Sequence, residues 1–358
     1  MINNSKSTGI SDPNSSKTNT SDGRGSSAWD IQNAPKNYAY LVLAQGGSSF
    51  FAFASVLLIT RLLGSEGYGN VVGILAASQI TQVLFNWTGT AVVKFGTEEF
   101  IETQKIARTF WLRLFILIPN LLLVIAASEF WFAPLSDWLK ISNETLWLVV
   151  LHFTASAFWI HIIFSLQGAK MLRLQGVLQM VERFLIFGGL LGFLIIGTLT
   201  PLTAALCFAV APLIMFFIGF FYLRKIVLSR FTIDWHFIRK ILAFSLPLLP
   251  FLLTWYFSSS YFDAIFLTKF LSLADLGVYT VATQINGIVL QLPTLVNTLL
   301  LPFFVTLQKE NEFQKTTRYF KHALPTFTLF WGLFCAILAF CSYYLLPLIF
   351  GIEFVETT

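Results

Sequence analysis

Five ionisable side chains fall inside stretches apolar enough to cross a bilayer: Lys94, Arg113, Glu182, Arg183 and Asp263. Each costs roughly 2.5–3.5 kcal/mol at bilayer depth on insertion scales, so each demands a partner, a wet cavity or a route to the surface. Arg113 and Arg183 are read in two ways. Either they form a cationic cavity wall that attracts an anion, with Glu182 as local counter-charge, or their long stems lift the charge to the cytoplasmic headgroups. Lys94 closes an apolar run on the basic side, where the helix dipole already favours a cation. Asp263 lies five residues before Thr268, roughly 7–8 Å below the outer end of its span by helical rise. It either hydrogen-bonds to neighbouring Ser and Tyr or serves as a protonation or cation site that couples transport to an ion gradient.

Two polar stripes run along apolar helices. Thr280, Gln284, Gly287, Gln291, Thr294 and Thr298 recur at alternating steps of four and three, and Gln79, Gln82, Asn86 and Thr90 follow at steps of three, four and four earlier in the chain. A single helical face of this kind turns away from lipid, toward a neighbouring helix or a shared cavity. Pro247 and Pro250 break the run that carries Asp263, at positions whose earlier counterparts are Ala39 and Val42. They are candidates for a gating kink. His152 and His161 are nine residues apart on one helix, half a turn out of phase, and cannot clasp one metal.

The elements that position these residues follow from composition. The mean hydropathy of +0.72 over 358 residues is that of an integral membrane protein. Runs of roughly 20 residues suffice to span a bilayer. Nine such helices are expected, at about 38–60, 70–93, 110–127, 145–167, 177–199, 202–222, 245–268, 277–301 and 324–345. Phe130 to Ile141, with Trp131 and Trp138, is too short and polar to cross and is expected along the outer interface. Residues 1–37 read as a disordered cytoplasmic tail, 38–222 as a six-helix lobe, 223–240 as a cytoplasmic loop, and 241–358 as a second, incomplete lobe of three helices. Twenty of the 23 basic residues lie in the tail or in segments 94–113, 168–183, 223–240 and 306–323, which makes those segments cytoplasmic and the N-terminus with them. Arg61, Lys140 and Lys269 are left on the other side.

The chain also repeats itself. Sliding LLITRLLGSEGYGNVVGILAASQ, Leu57 to Gln79, forward by 208 positions lands on IFLTKFLSLADLGVYTVATQING without a gap. Thr60 falls on Thr268, Arg61 on Lys269, Leu63 on Leu271 and Gly69 on Gly277. Parallel repeats of this kind are a transporter signature. Arg61 and Lys269, held outside against the orientation bias, are read either as closing the outward gate or releasing an anion there, or as plain headgroup anchors.

No P-loop, GxSxG, HExxH or CxxC is present, and the basic residues are dispersed among short loops rather than massed on one surface. No cofactor, metal site or nucleic-acid partner is expected, and enzyme readings lack residues. The three cysteines all sit in apolar runs.

RLLGSEGYG from Arg61, LQGAKMLRLQ from Leu166, FSLPLLPFLLTWYFSSSYFDAIFL from Phe244 and LADLGVYTVATQI from Leu273 resemble the polysaccharide-biosynthesis or O-antigen flippase branch of the multidrug/oligosaccharidyl-lipid/polysaccharide exporter superfamily. The resemblance implies an all-α, two-lobed bundle in a bacterial inner membrane. It implies alternating access that moves an isoprenoid-pyrophosphate-linked oligosaccharide outward, alongside other polysaccharide-assembly membrane proteins. The implied substrate-cavity candidates are Arg61, Lys94, Arg113, Arg183, Lys269, Gln79, Gln82, Asn86, Gln284 and Gln291, with Asp263, Pro247 and Pro250 for coupling or gating. Two departures stand out: the chain stops about three helices short of twelve, and Ala264 follows Asp263 where the family often has Arg. A cation-coupled antiporter of the same superfamily, a membrane glycan polymerase or ligase, and an inactive truncated transporter are the alternatives.

Overall fold

The computed structural model describes residues 34–229, 234–257, 260–287, 289–290, 293, 317 and 319–357. Among them there is helix and no strand. In chain order the helices are α1 Ala34–Asn86, α2 Gly89–Thr103, α3 Ala107–Ala126, α4 Ser128–Leu139, α5 Leu146–Gly168, α6 Leu172–Ile196, α7 Pro201–Val227, α8 Trp235–Ser245, α9 Leu249–Phe257, α10 Ser260–Phe270, α11 over 273–287, and α12 Leu324–Phe350. Seven helical stretches of the described residues are long and apolar enough to cross a membrane. The protein is therefore an all-α polytopic membrane protein.

The first of those stretches, Leu43–Asn86, has 44 residues, roughly twice what one crossing needs. It breaks at Gly64, whose backbone lies in the left-handed region at φ 70°, where a side chain would be strained. The limbs before and after Gly64 line one cavity together, Gln45 to Val56 from the first and Tyr68 to Gln79 from the second. The first expected span falls on the first limb, whereas the second, 70–93, begins on the second limb and runs past its end at Asn86 into α2. α6 begins at Leu172, five residues before the expected start at 177. The hairpin before α7 is set by Thr200, which accepts from the Thr203 N–H while the Thr203 hydroxyl accepts from the Thr200 N–H, with Pro201 opening the helix. α4 has 12 residues, too few to cross. Pro247 lies within a 3₁₀ turn, Leu246–Leu248, that separates α8 from α9, and Pro250 opens α9 at its second residue. The eighth expected span, 277–301, is described only in part, and residues 1–33 of the expected tail lie outside the described residues.

The core sits in the first half and is built around α5. That helix is apolar on nearly every side and buries Leu148, Val149, Phe153, Ile162 and Leu166 completely, as a helix surrounded by other helices must. α2 and α3 join through Glu99, which is 7% exposed. Its carboxylate accepts from the backbone N–H groups of Arg108 and Thr109 at 2.8 and 2.9 Å and from the Thr109 hydroxyl at 2.7 Å, satisfying donors that the first turn of α3 leaves open.

The 208-residue repeat recurs as three-dimensional detail. Thr60 Oγ1 donates to the Val56 and Leu57 carbonyls, and Thr268 Oγ1 to those of Ala264 and Ile265, residue for residue the shifted pair. The second limb of α1 crosses α11 where Gly69 meets Gly277. A Cβ on Gly69 would overlap the Leu273 carbonyl, and one on Gly277 the Ser65 carbonyl. Since 273 is the repeat partner of 65, exchanging the halves exchanges these contacts, as an isologous two-fold interface requires. Any side chain here forces two backbones apart. Gly69→Val should lower stability by about 1–3 kcal/mol, read as a fall in the Tm of the purified protein, whereas Gly192→Ala, with open space around it, should leave Tm unchanged within a degree or so.

Candidate functional site

A cavity of about 460 Å³ lies among both limbs of α1, α5, α6, α7, α10 and α11. The first limb offers Gln45, Ser48, Ser49 and Ser55, and the second Tyr68 and Gln79. α5 adds His152, Ser156 and Trp159; α6 adds Gln179, Glu182 and Arg183; Tyr261 comes from α10 and Thr280 and Gln284 from α11. Amides and hydroxyls dominate this wall. A smaller hollow of about 120 Å³ shares Ser49, Ala52, Val56 and Gln284 with it and reaches Gly287 and Phe350.

Arg183 stands eleven residues after the start of α6, roughly 16 Å along the helix axis. That is about half the thickness of the hydrocarbon core. Arg183 lines the cavity beside Glu182. His152 is fixed by a 2.6 Å hydrogen bond with the Ser78 hydroxyl. Gln79 and Gln284, from repeat-related helices, face the same space.

Other expected cavity residues stand elsewhere. Gln82 is 4% exposed and donates through Nε2 to the Phe153 carbonyl at 3.0 Å, tying α1 to α5. Asn86 donates to the Gln82 amide oxygen at 3.2 Å. The first bond joins packed helices and the second lies within α1, and neither residue lines the cavity. Arg113 is fully buried where α2, α3 and α5 meet, bonded to His161 and Thr88, and does not line the cavity. Lys94 is exposed on α2, with its ammonium 4.4 Å from the centre of the Phe244 ring. Gln291 lies outside the described residues. The described wall thus carries one arginine beside one glutamate rather than an excess of cations, which corrects the expected cationic lining.

Arg61 and Lys269 each reach across to the other half. Arg61 Nε donates to the Ile349 carbonyl at 2.6 Å and Nη2 to that of Leu348, at the last turn of α12. Lys269 holds its ammonium 4.6 Å from the Trp138 ring centre at the end of α4, and Lys140 donates to the Leu271 carbonyl. The 208 shift takes Arg61 to Lys269 and Lys140 to Leu348, so these contacts are approximate images of one another. Glu353 adds a further tie: its carboxylate accepts from the Ser65 N–H at 2.9 Å and hydroxyl at 3.0 Å. Those donors hold its carboxyl below the usual glutamate range. Asp263 accepts from the Tyr279 hydroxyl at 2.6 Å between α10 and α11, the first of its two expected readings. Among the described residues no group of three metal-ligating side chains occurs.

A family model described as "Polysaccharide biosynthesis protein" matches residues 34–308, which is most of the chain. The chain belongs to that family. Comparison with curated proteins and with solved structures gives no match. Membership accounts for the polytopic helical build.

The wall residues that sequence reasoning missed are Gln45, Ser48, Ser49, Ser55, Ser156 and Gln179. Their signal was present: 45, 48, 49, 52 and 55 form a polar or small stripe at helical spacing on the first limb. Two glutamines one turn apart should behave differently. Gln82→Leu removes a bond between helices and should lower stability by about 0.6–1.7 kcal/mol, seen as a lower Tm with the wall intact. Gln79→Leu, which loses no bond between helices, should leave Tm nearly unchanged.

Proposed function

We propose that the protein is a flippase that carries an isoprenoid-pyrophosphate-linked oligosaccharide from the cytoplasmic to the outer leaflet by alternating access. The observation that carries this reading is the polar cavity at membrane depth, walled by both members of an internal repeat whose outer ends are drawn together by Arg61, Lys269, Lys140 and the Gly69–Gly277 crossing. A glycan brings many hydroxyl and amide groups and cannot shed its hydration into lipid at acceptable cost. Amides and hydroxyls on the wall replace that water while the isoprenoid tail stays among the acyl chains. Family membership supports a role in making a surface polysaccharide. O-antigen or another polymer repeat unit is the cargo on this reading, and the residence is the bacterial inner membrane with the N-terminus cytoplasmic. The protein acts there as a transporter rather than an enzyme, beside other polysaccharide-assembly membrane proteins.

Alternation gives the outer ties a role. Contacts between a guanidinium and carbonyls at a helix end, and an ammonium over an indole ring, are strong enough to bias a closed state and weak enough to exchange. On this reading the structure is the state with its outer side shut.

The test uses vesicles reconstituted with the purified protein and a fluorescent isoprenoid-pyrophosphate oligosaccharide, with appearance in the opposite leaflet followed by membrane-impermeant quenching. Protein-dependent translocation is expected. Arg183→Ala should slow it about tenfold, equivalent to about 1.4 kcal/mol, while inserting normally. Arg61→Ala should change the rate with the cavity untouched. Lipid that crosses no faster than in empty vesicles, while small organic cations do cross, would replace this reading with the antiporter.

A further inference from the structure

The guanidinium of Arg113 is fully buried and has no carboxylate against it. Among the described residues the one ion pair within 4.0 Å is Lys240 with Glu98, exposed on α8 and α2. Arg113 Nη1 donates to His161 Nδ1 at 2.9 Å, and its Cζ lies 5.1 Å from the centre of the Phe164 ring. Because a guanidinium can only donate, Nδ1 accepts, and the imidazole proton must sit on Nε2. That Nε2 is buried with no partner, and so is Arg113 Nη2. Two orphan donors therefore occupy one cluster that already holds an unbalanced positive charge.

The second observation is the helix they face. The long apolar stretch ends at Asn86, the chain turns through Trp87 and Thr88, and α2 starts afresh at Gly89. Thr88 is the residue that should cap α2, yet its side chain makes no cap. Its hydroxyl instead receives a 3.4 Å hydrogen bond from Arg113 Nε. Nε and Nη2 form the edge of the guanidinium that grips carboxylate and phosphate oxygens two at a time. Here that edge is turned to the start of a 15-residue helix, with one arm on a long bond and the other on none. A helix start carries a partial positive charge and open N–H groups. Inside a membrane, such breaks are where helix ends meet anions.

The buried cation, the orphan Nη2 and the uncapped helix start call for negative charge and acceptor capacity in the same place. We propose that this junction of α2, α3 and α5 binds a small inorganic monoanion of the size of chloride, held by the Arg113 Nε–Nη2 edge at the start of α2. A water molecule would satisfy a donor but leave the charge uncompensated at a depth where that is costly. An aromatic face compensates it only in part. The anion pins the break in the second crossing to α3. Nothing in this argument uses the cargo, so it stands or falls apart from the flippase reading.

The test is the thermal stability of the purified full chain, in sodium chloride against sodium gluconate at constant ionic strength. Chloride should raise Tm saturably, by about 5 °C at a hundredfold excess over its dissociation constant. Arg113→Gln should abolish the dependence, and Thr88→Ala should weaken chloride binding several-fold. A Tm that is the same in both salts overturns the proposal, as does a chloride dependence that survives Arg113→Gln. Should that variant fail to fold, unaltered protein crystallised in bromide decides the matter: an anomalous peak beside Arg113 Nη2 is expected, and only water or nothing there overturns it.

Discussion

A polar group at the depth of the acyl chains must find a partner within the protein, and this condition shapes nearly every interior feature of the chain. Serine and threonine side chains meet it locally, bonding back one turn as Ser55 does to Phe51 and Thr280 to Leu276. Inside the bundle, the longer two-sided amides of Gln82 and Gln79 reach further, to a second helix or to the cavity. Gln82 takes the first solution at Phe153 and Gln79 the second on the cavity wall. The same division separates the two deep arginines. Arg113 is closed off among helices, whereas Arg183 opens on a polar hollow beside Glu182. One class of residue in the sequence therefore becomes two kinds of site.

What the sequence made legible was whatever depends on distance along the chain. The 208-residue offset needs only identity at matched positions, and it reappears as paired hydrogen bonds at Thr60 and Thr268 and as the contact of Gly69 with Gly277. The helical class and the crossing limbs either side of Gly64 follow from hydropathy, length and one glycine. Facing was harder to read. Gln79 and Gln82 share one stripe, but the positions of α5 and α6 decide which of them meets a carbonyl and which meets open space. Arg113 illustrates the same loss: its burial depends on α2, α3 and α5 converging, and no spacing within α3 encodes that. Arg183 was legible as a cavity candidate, and it lines the hollow beside Glu182.

The junction of the two halves shows what an internal repeat does to the contacts between its members. When two halves meet through an approximate two-fold, each contact has an image, so loosening one side loosens the other by the same geometry. Arg61 on the end of α12 and Lys269 on Trp138 are not identical chemistry, and the difference has a consequence. An arginine fork on carbonyls is directional, whereas an ammonium over an indole tolerates sliding. The Arg61 side of the junction is accordingly the more sharply defined, and Glu353 on Ser65 reinforces that same side.

The halves also differ in their first crossings, and that difference bears on where motion can be absorbed. The first limb of α1 is unbroken up to Gly64, packs on α6 through Phe51 against Phe184, and faces a core in which α5 is deeply buried. Its counterpart runs through α8, a 3₁₀ turn at Pro247 and then α9, where Pro247 and Pro250 offer no N–H to the helix ladder. A body that is well packed and a partner that is jointed do not share strain equally. On the flippase reading, the packed half serves as the frame against which the jointed half tilts. Asp263 and Tyr279, bonded between α10 and α11, then travel with the jointed side.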